Sequence, residues 1–276
     1  MLSRYCLFIA LLLPLQVFAQ AVGKITFTEG KVRVLRGAST LVGAQGAVVE
    51  VTDIVETAKP GFALVEFSDG TVIALGDATR VMLSRQTGKT NNPEVLLLDG
   101  WLKVQARDAA DYGVTSLMQA STLKTASLIM HGTKTSGEVF VESGAANVGT
   151  TDKQGRASGL SAAKAGQFVM RSADKPATSQ PRPSEAFLAS MPGAFKDALP
   201  ARLERFKDRS VEAKSTGPVS YEDVADWLTA APAWRTGFVR RFESRLSDSA
   251  FRQQLDAHLK SHPEWDKILH PPKAAN

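Results

Sequence analysis

The stretch from Phe62 to Leu75 reads FALVEF-SDG-TVIAL. Two short runs rich in β-branched and aromatic residues flank Ser68-Asp69-Gly70, and an Asp-Gly pair between such runs predicts a tight hairpin. Glycine suits the turn because it carries no Cβ and adopts positive φ without strain. Thr71 opens the returning strand.

The same device recurs on either side. Val95–Leu98 leads through Asp99-Gly100 into Trp101–Val104, and Glu138–Glu142 leads through Ser143-Gly144 into Ala145–Val148. Upstream, Lys31-Val32-Arg33-Val34 alternates polar and apolar residues between Gly30 and Gly37. From Lys24 to about Arg171 the chain offers about a dozen strands at the roughly 8–12-residue spacing of a sandwich, barrel or irregular β-solenoid. No repeat of fixed length is present, which argues against a propeller.

These motifs, in this order, resemble the FecR domain family. The matching elements are Gly30-x-Val-x-Val-x-Arg-Gly37, then Asp53-Ile54-Val55-x-Thr57, then Ala63-x-Val65-x-Phe67-Ser68-Asp69-Gly70-Thr71. Leu96–Leu102 (LLLDGWL), Leu123–Ser127 with Gly132-Thr133, and Ala165-Gly166-Gln167 continue the series to about Arg171. Two positions depart from the pattern: Thr52 stands where the family has glycine, and His131 where it commonly has arginine. Both read as surface-turn or edge positions. The resemblance implies an irregular β-solenoid or sandwich over residues 20–171 that contacts other proteins.

Known members of that family join a sigma-factor-binding segment and one membrane span to a periplasmic domain. Here Arg4 precedes an apolar run, Tyr5–Leu15, too short for the roughly 20 residues of a span. Val17-Phe18-Ala19 then approximates a signal-peptidase site, so residues 1–19 read as a signal peptide cleaved at Ala19, with a periplasmic product. Cys6 lies inside the apolar run, and the mature chain would need no disulfide and no thiol nucleophile. The resemblance thus implies the periplasmic half without the transcriptional half.

Ser172–Glu185 (SADKPATSQPRPSE) lacks apolar periodicity and reads as an exposed linker. Residues 186–276 then shift to helical period, as a small all-α module after the all-β domain. Pro200 opens a helix over Ala201–Asp208. Val224, Trp227 and Leu228 follow a Ser220 cap, and Trp234, Phe238, Phe242 and Leu246 share one face of a helix begun by Pro232. Phe251, Leu255 and Leu259 mark another, and Trp265, Ile268 and Leu269 a last one after Pro263. Trp227, Trp234 and Trp265 read as core anchors rather than ligand platforms.

Charge is spread thinly. Residues 21–175 hold 17 basic and 15 acidic side chains, and residues 176–276 hold 15 and 13, so neither half has the concentrated positive surface that nucleic acid requires. Arg235, Arg240, Arg241, Arg245 and Arg252 form one basic cluster. It reads as a solvated face paired to Glu243, Asp248 and Asp256, or as a contact for an anionic envelope polymer or lipid.

His258, His262, Glu264 and His270 invite a zinc reading, but Pro263 interrupts the spacing and no acid follows His258 as zincins require. No nucleophile motif appears, and His131 reads as an edge histidine rather than a base. Asp69 and Asp99 are accounted for by their turns. No catalytic residue, metal or cofactor is expected. The reading is a non-enzymatic binding or scaffold protein of the cell envelope with an unidentified envelope protein as partner. The alternatives are an envelope polysaccharide hydrolase with unrecognised carboxylates and an accessory to a separate membrane-bound sigma-factor regulator.

Overall fold

The computed structural model describes residues 21–85, 93–107, 111–209 and 211–272; the signal segment and Ala19 lie outside the described residues. The chain is mostly β, with a small helical part at its C-terminal end. The first strands are β1 (Ala21–Arg36), β2 (Ser39–Val42), β3 (Val48–Glu50), β4 (Ile54–Phe67), β5 (Val72–Leu75), β6 (Arg80–Arg85) and β7 (Pro93–Gln105). They continue as β8 (Tyr112–Ser116), β9 (Gln119–Gly132), β10 (Ser136–Thr151), β11 (Ala157–Lys164), β12 (Phe168–Ser172), β13 (Thr178–Gln180) and β14 (Ser215–Pro218). All pair into one sheet ordered β13-β12-β10-β9-β8-β7-β5-β4-β1-β2-β14, with β3 on β1, β6 between β4 and β7, and β11 on β10.

Only the first of the three expected hairpins is a hairpin. Ser68-Asp69-Gly70 joins β4 to β5, with Gly70 at φ 82° and the Asp69 carboxylate accepting the Thr71 amide at 2.8 Å. Asp99-Gly100 and Ser143-Gly144 instead lie within the continuous strands β7 and β10. There a glycine at φ 102° (Gly100) or 72° (Gly144) makes a bulge. Positive φ serves both devices, so the local sequence does not separate them. Gly30, at φ 69°, likewise lies within β1 rather than at its end, while Gly37, at φ 54°, turns β1 into β2.

Each bulge shifts the alternation by one residue and so exchanges the faces of its strand. Before Gly100, Val95 and Leu97 face the central core; after it, Leu102 and Val104 do. The exchange also divides the outer face of the sheet. Leu96 and Leu98 pack under the C-terminal helices, in a cluster with Val224, Trp227, Trp234, Phe242 and Trp265. Trp101, beyond the bulge, packs under a strap that runs from Ser184 to about Lys207, against Phe187, Met191, Phe195 and Leu199.

The strap carries α1 (Glu185–Ser190) and 3-10 turns at Gly193–Phe195 and Leu203–Phe206. The helix expected over Ala201–Asp208 is only that last turn. Little regular structure satisfies the strap's backbone, and outward side chains of the sheet do so instead. Lys103 donates to the carbonyls of Phe195 and Asp197, Arg107 to that of Leu199, and Gln105 accepts the Leu199 amide. Buried Glu66 accepts the amides of Arg202 and Leu203.

The helices α2 (Tyr221–Leu228), α3 (Phe238–Phe242), α4 (Ser249–Ala257) and α5 (Asp266–Leu269) share their core with Leu35, Ile54, Met82, Leu96 and Leu98 of the sheet. Ser220 caps α2, as the sequence predicts, and Asp223 returns the bond from its side chain to the Ser220 amide. The helix expected from Pro232 to Leu246 is broken: Gly237 takes φ 86°, so only Phe238–Phe242 is α-helical before a 3-10 turn at Glu243–Ser247. Trp234 ties this region back to the sheet by donating from Nε1 to the Gly155 carbonyl in the β10–β11 turn at 2.9 Å.

Candidate functional site

Between the strap and the bends of β1, β4, β7 and β9 lies an open cleft of about 630 Å³. Phe27, Lys59, Phe62, Asp77, Asp99, His131 and Thr133 line it from the sheet, and Ser190 and Pro192–Ala194 from the strap. It continues past Ala78 and Asp99 into a charged recess lined by Lys31, Arg33, Glu56, Arg80 and Glu222.

Glycines at the bends let the backbones approach at the cleft floor. A Cβ on Gly100 would lie 2.5 Å from Thr79 Oγ1, and one on Gly132 3.1 Å from both Leu97 and Ser116. The Thr57 hydroxyl donates to the Gly76 carbonyl at 2.6 Å and accepts the Thr79 amide at 2.9 Å. Asp77 accepts the Gly61 amide at 2.7 Å. Thr133 and Ser136 pair their hydroxyls at 2.8 Å across the β9–β10 turn.

His131 is not on a sheet edge: β9 lies between β7 and β10 there, with His131 opposite Trp101 on one side and Glu138 on the other. Its ring stacks on Trp101 at 4.3 Å and 16°, and Nδ1 is 2.9 Å from Glu138 Oε2. The flat imidazole fills the aromatic layer over Trp101. Asp99 stands beside it, its carboxyl raised above the ordinary range by burial, with Arg80 and His131 acting against that shift.

A chain of ion pairs closes the recess against α2. Arg33 bonds Glu56 at 2.6 Å and also pairs with Asp223; Arg80 bonds Glu56 at 2.9 Å and Asp226 at 2.7 Å; Lys134 bonds Asp226 at 2.8 Å. Asp226 is held below its ordinary range chiefly by the Lys134 hydrogen bond, and Asp223, against desolvation, by the Ser220 amide and Arg33. None of Arg33, Glu56 and Arg80 stands out in the sequence. Alternation places each on the outer face of a strand, and the acids that complete the chain, Asp223 and Asp226, lie in a helix distant along the sequence.

Apart from Gly30 within β1, the sequence-predicted residues fall into four places. Asp99, Gly100, Gly132, Thr133 and Thr57 gather around the cleft. Asp69, Gly70 and Thr71 form the β4–β5 turn. Gly166 and Gln167 form the turn between β11 and β12, with the Gln167 side chain accepting the Lys164 amide. Gly37 and Asp53 meet at a fourth point, where Asp53 accepts from Arg36 and from the Glu50 amide. Thr52, beside it, is an exposed turn residue at φ 74°, in the left-handed region that glycine would occupy without strain.

The arginine cluster is not a solvated face paired to acids. Arg241 donates to the carbonyls of Leu35, Gly37 and Thr52, and burial lowers its guanidinium to about 10, still charged at neutral pH. Arg235 serves the carbonyls of Leu228 and Ser261, Arg245 that of Val219, and Arg252 that of Leu269. Of the expected acids only Asp248 pairs with the cluster, through Arg245, while Arg235 pairs with Glu264 at 3.3 Å; Arg240 is exposed. Arg235 and Arg252 satisfy carbonyls at the ends of short helical segments, while Arg241 and Arg245 satisfy strand, turn and loop carbonyls outside the helices.

The histidines are dispersed in role. His262 is fully buried with Nε2 on the Leu255 carbonyl, His258 stacks on Tyr221, and His270 pairs with Asp256 and Asp266. No cluster able to hold a metal ion occurs among the described residues. The three tryptophans are buried.

Comparison with family models finds no match, and comparison with curated protein sequences finds none. Two solved structures are similar over part of their length. Both are described as a "putative anti-sigma factor" from Parabacteroides distasonis ATCC 8503. One, at 1.65 Å, aligns with TM-score 0.40 and 15% identity over 49% of this chain and 63% of that one. The other, at 2.50 Å, aligns with TM-score 0.41 and 12% identity over 50% and 64%. The chain thus spans less than two thirds of the length of either.

Proposed function

We propose that this chain is a non-enzymatic binding and scaffold protein of the bacterial cell envelope, working as an accessory in signalling of the kind its FecR-like motifs imply. The observation that carries this reading is the cleft between strap and sheet. Most polar groups on its floor are committed to the fold, as with Thr57, Thr79, Asp77 and the His131–Glu138 pair. What remains for a visitor is the half-buried edge of the Phe27–Phe62 pair, 6.1 Å between ring centroids, beside the carboxylates of Glu29 and Asp99, which outnumber the ammonium of Lys59. That combination suits an apolar segment of a partner protein bearing a basic side chain. The Arg4–Ala19 segment supports an envelope location.

The test is a photo-crosslinking residue at Phe62, with Gln253 on α4 as control, in intact cells. A product with one envelope protein at Phe62, absent at Gln253 and diminished by Asp99→Lys, is expected. Identical patterns at both positions would overturn the reading, as would recovery of the protein only from the cytoplasm.

One observation favours a hydrolase: Asp99, with its raised carboxyl, faces an open cleft beside His131. Turnover of envelope polysaccharide that Asp99→Asn abolishes would establish that reading in place of the first.

A further inference from the structure

A sheet must do something with its edges, because an unpaired strand presents a row of free amides and carbonyls to any other chain. Among the described residues four strands have a single neighbour: β3 on β1, β13 on β12, β14 on β2 and β11 on β10. Three of them are blunted. β3 and β13 are 3 residues long and β14 is 4, β13 runs into Pro181 and Pro183, and β14 ends on Pro218.

β11 is different. It runs for 8 residues, and all but Ala163 are exposed. Its sequence, Ala-Ser-Gly-Leu-Ser-Ala-Ala-Lys, contains no proline, and no charge before Lys164. Leu160 is 41% exposed, among the most exposed large apolar side chains described. A bulge at Gly159, φ 63°, makes the only irregularity.

The charges at its ends select the occupant. Lys153 and Arg156 stand at the start and Lys164 at the finish, while the one nearby acid, Asp152, spends its carboxylate on the amides of Gln154 and Arg156. Antiparallel pairing with a second copy would bring Arg156 of one chain next to Lys164 of the other, and like charges across a ladder oppose pairing. A strand with acids at both ends and small or apolar residues between meets the opposite charge at each end.

We propose that β11 is a docking edge that takes an extended, acid-flanked peptide segment of a partner protein as an added antiparallel strand. It is separate from the cleft and does not rest on it.

The test uses the full chain and two labelled octapeptides with the same alternating valine–threonine centre, one flanked by glutamates and one by lysines. Fluorescence anisotropy gives the affinities, and amide chemical shifts give the location. The acid-flanked peptide is expected to bind at least roughly tenfold more tightly and to shift the amides of Ala157–Lys164. Leu160→Glu with Ala162→Glu, both on exposed positions, should abolish binding with an unchanged circular dichroism spectrum. Lys164→Glu with Arg156→Glu should reverse the preference between peptides. Equal affinities, absence of binding by the acid-flanked peptide, or shifts confined to the cleft would overturn the proposal. So would a dimer in sedimentation that the Leu160→Glu, Ala162→Glu pair dissociates, since the edge would then serve a second copy.

Discussion

Lys103 on β7 and Glu142 on β10 form an ion pair of 2.7 Å in which the lysine side chain is wholly buried and the glutamate only partly. Lys103 also donates to the carbonyls of Phe195 and Asp197, so one cation joins two strands and the strap.

Lys103→Met should therefore cost about 3 kcal/mol, because the partners lose a charge-assisted donor while remaining shielded. Urea unfolding measures it. Lys103→Met with Glu142→Leu should recover part of the loss, and a single variant as stable as the parent would refute the clamp.

The glycines at Gly37 and Gly100 should differ in tolerance although both have positive φ. A Cβ on Gly37 meets nothing within 4 Å, so Gly37→Ala should cost about 1 kcal/mol, the conformational strain alone. On Gly100 it meets the Thr79 backbone at 2.6 Å, so Gly100→Ala should cost about 3 kcal/mol. Equal thermal midpoints for the two would contradict the bulge geometry.

Thr52→Gly should stabilise the chain by roughly 1 kcal/mol, since a β-branched residue at φ 74° is strained and glycine is not. Its contacts survive the change, because both are made by the backbone, to the Leu83 carbonyl and from Arg241. Chemical denaturation gives the sign.

The ion pairs over the recess predict a dependence on acid. Asp223 and Asp226 have lowered carboxyls, so their contribution is complete above the ordinary carboxylate range and is lost as pH falls through the depressed values. Asp226→Asn should remove about 1 kcal/mol at pH 7 after solvent screening and nothing at strongly acidic pH. Asp99 has the opposite sign. Its carboxyl is raised, so burying its charge is unfavourable at neutral pH and the penalty fades as pH falls through its own range. Asp99→Asn should raise the melting temperature at pH 7 and leave it unchanged in acid.

Residues 172–182 are exposed, and limited proteolysis should cut there first. Because strap and helices share cores with the sheet, the two fragments should co-elute on a sizing column and part only in denaturant. Fragments that separate without denaturant would show a shared core too weak to matter.

The strands were legible because alternation and β-branched composition report burial locally. What each glycine does was not: Asp69-Gly70 and Asp99-Gly100 are alike in sequence, and only the neighbouring backbone decides between turn and bulge. The strap was hidden for another reason. Phe187, Met191, Phe195 and Leu199 recur every fourth residue, but Pro192, Gly193 and Pro200 break any regular element. Lys103, Gln105 and Arg107 look like an ordinary solvent face until something lies on it. The cleft could be anticipated only as far as Asp99 and Gly132-Thr133, since its other wall comes from the strap.

Arg241 sets an order on assembly. Its three acceptors, Leu35, Gly37 and Thr52, lie 206, 204 and 189 residues earlier in the chain. As the chain is made, these carbonyls emerge long before the guanidinium that satisfies them, and the first hairpin must wait in water for its last donor. Closure of so long a loop is slow compared with local pairing. A chain stopped between Pro218 and Arg241 would therefore have its strands but not its finished first turn, and would offer proteases an opening at its oldest end.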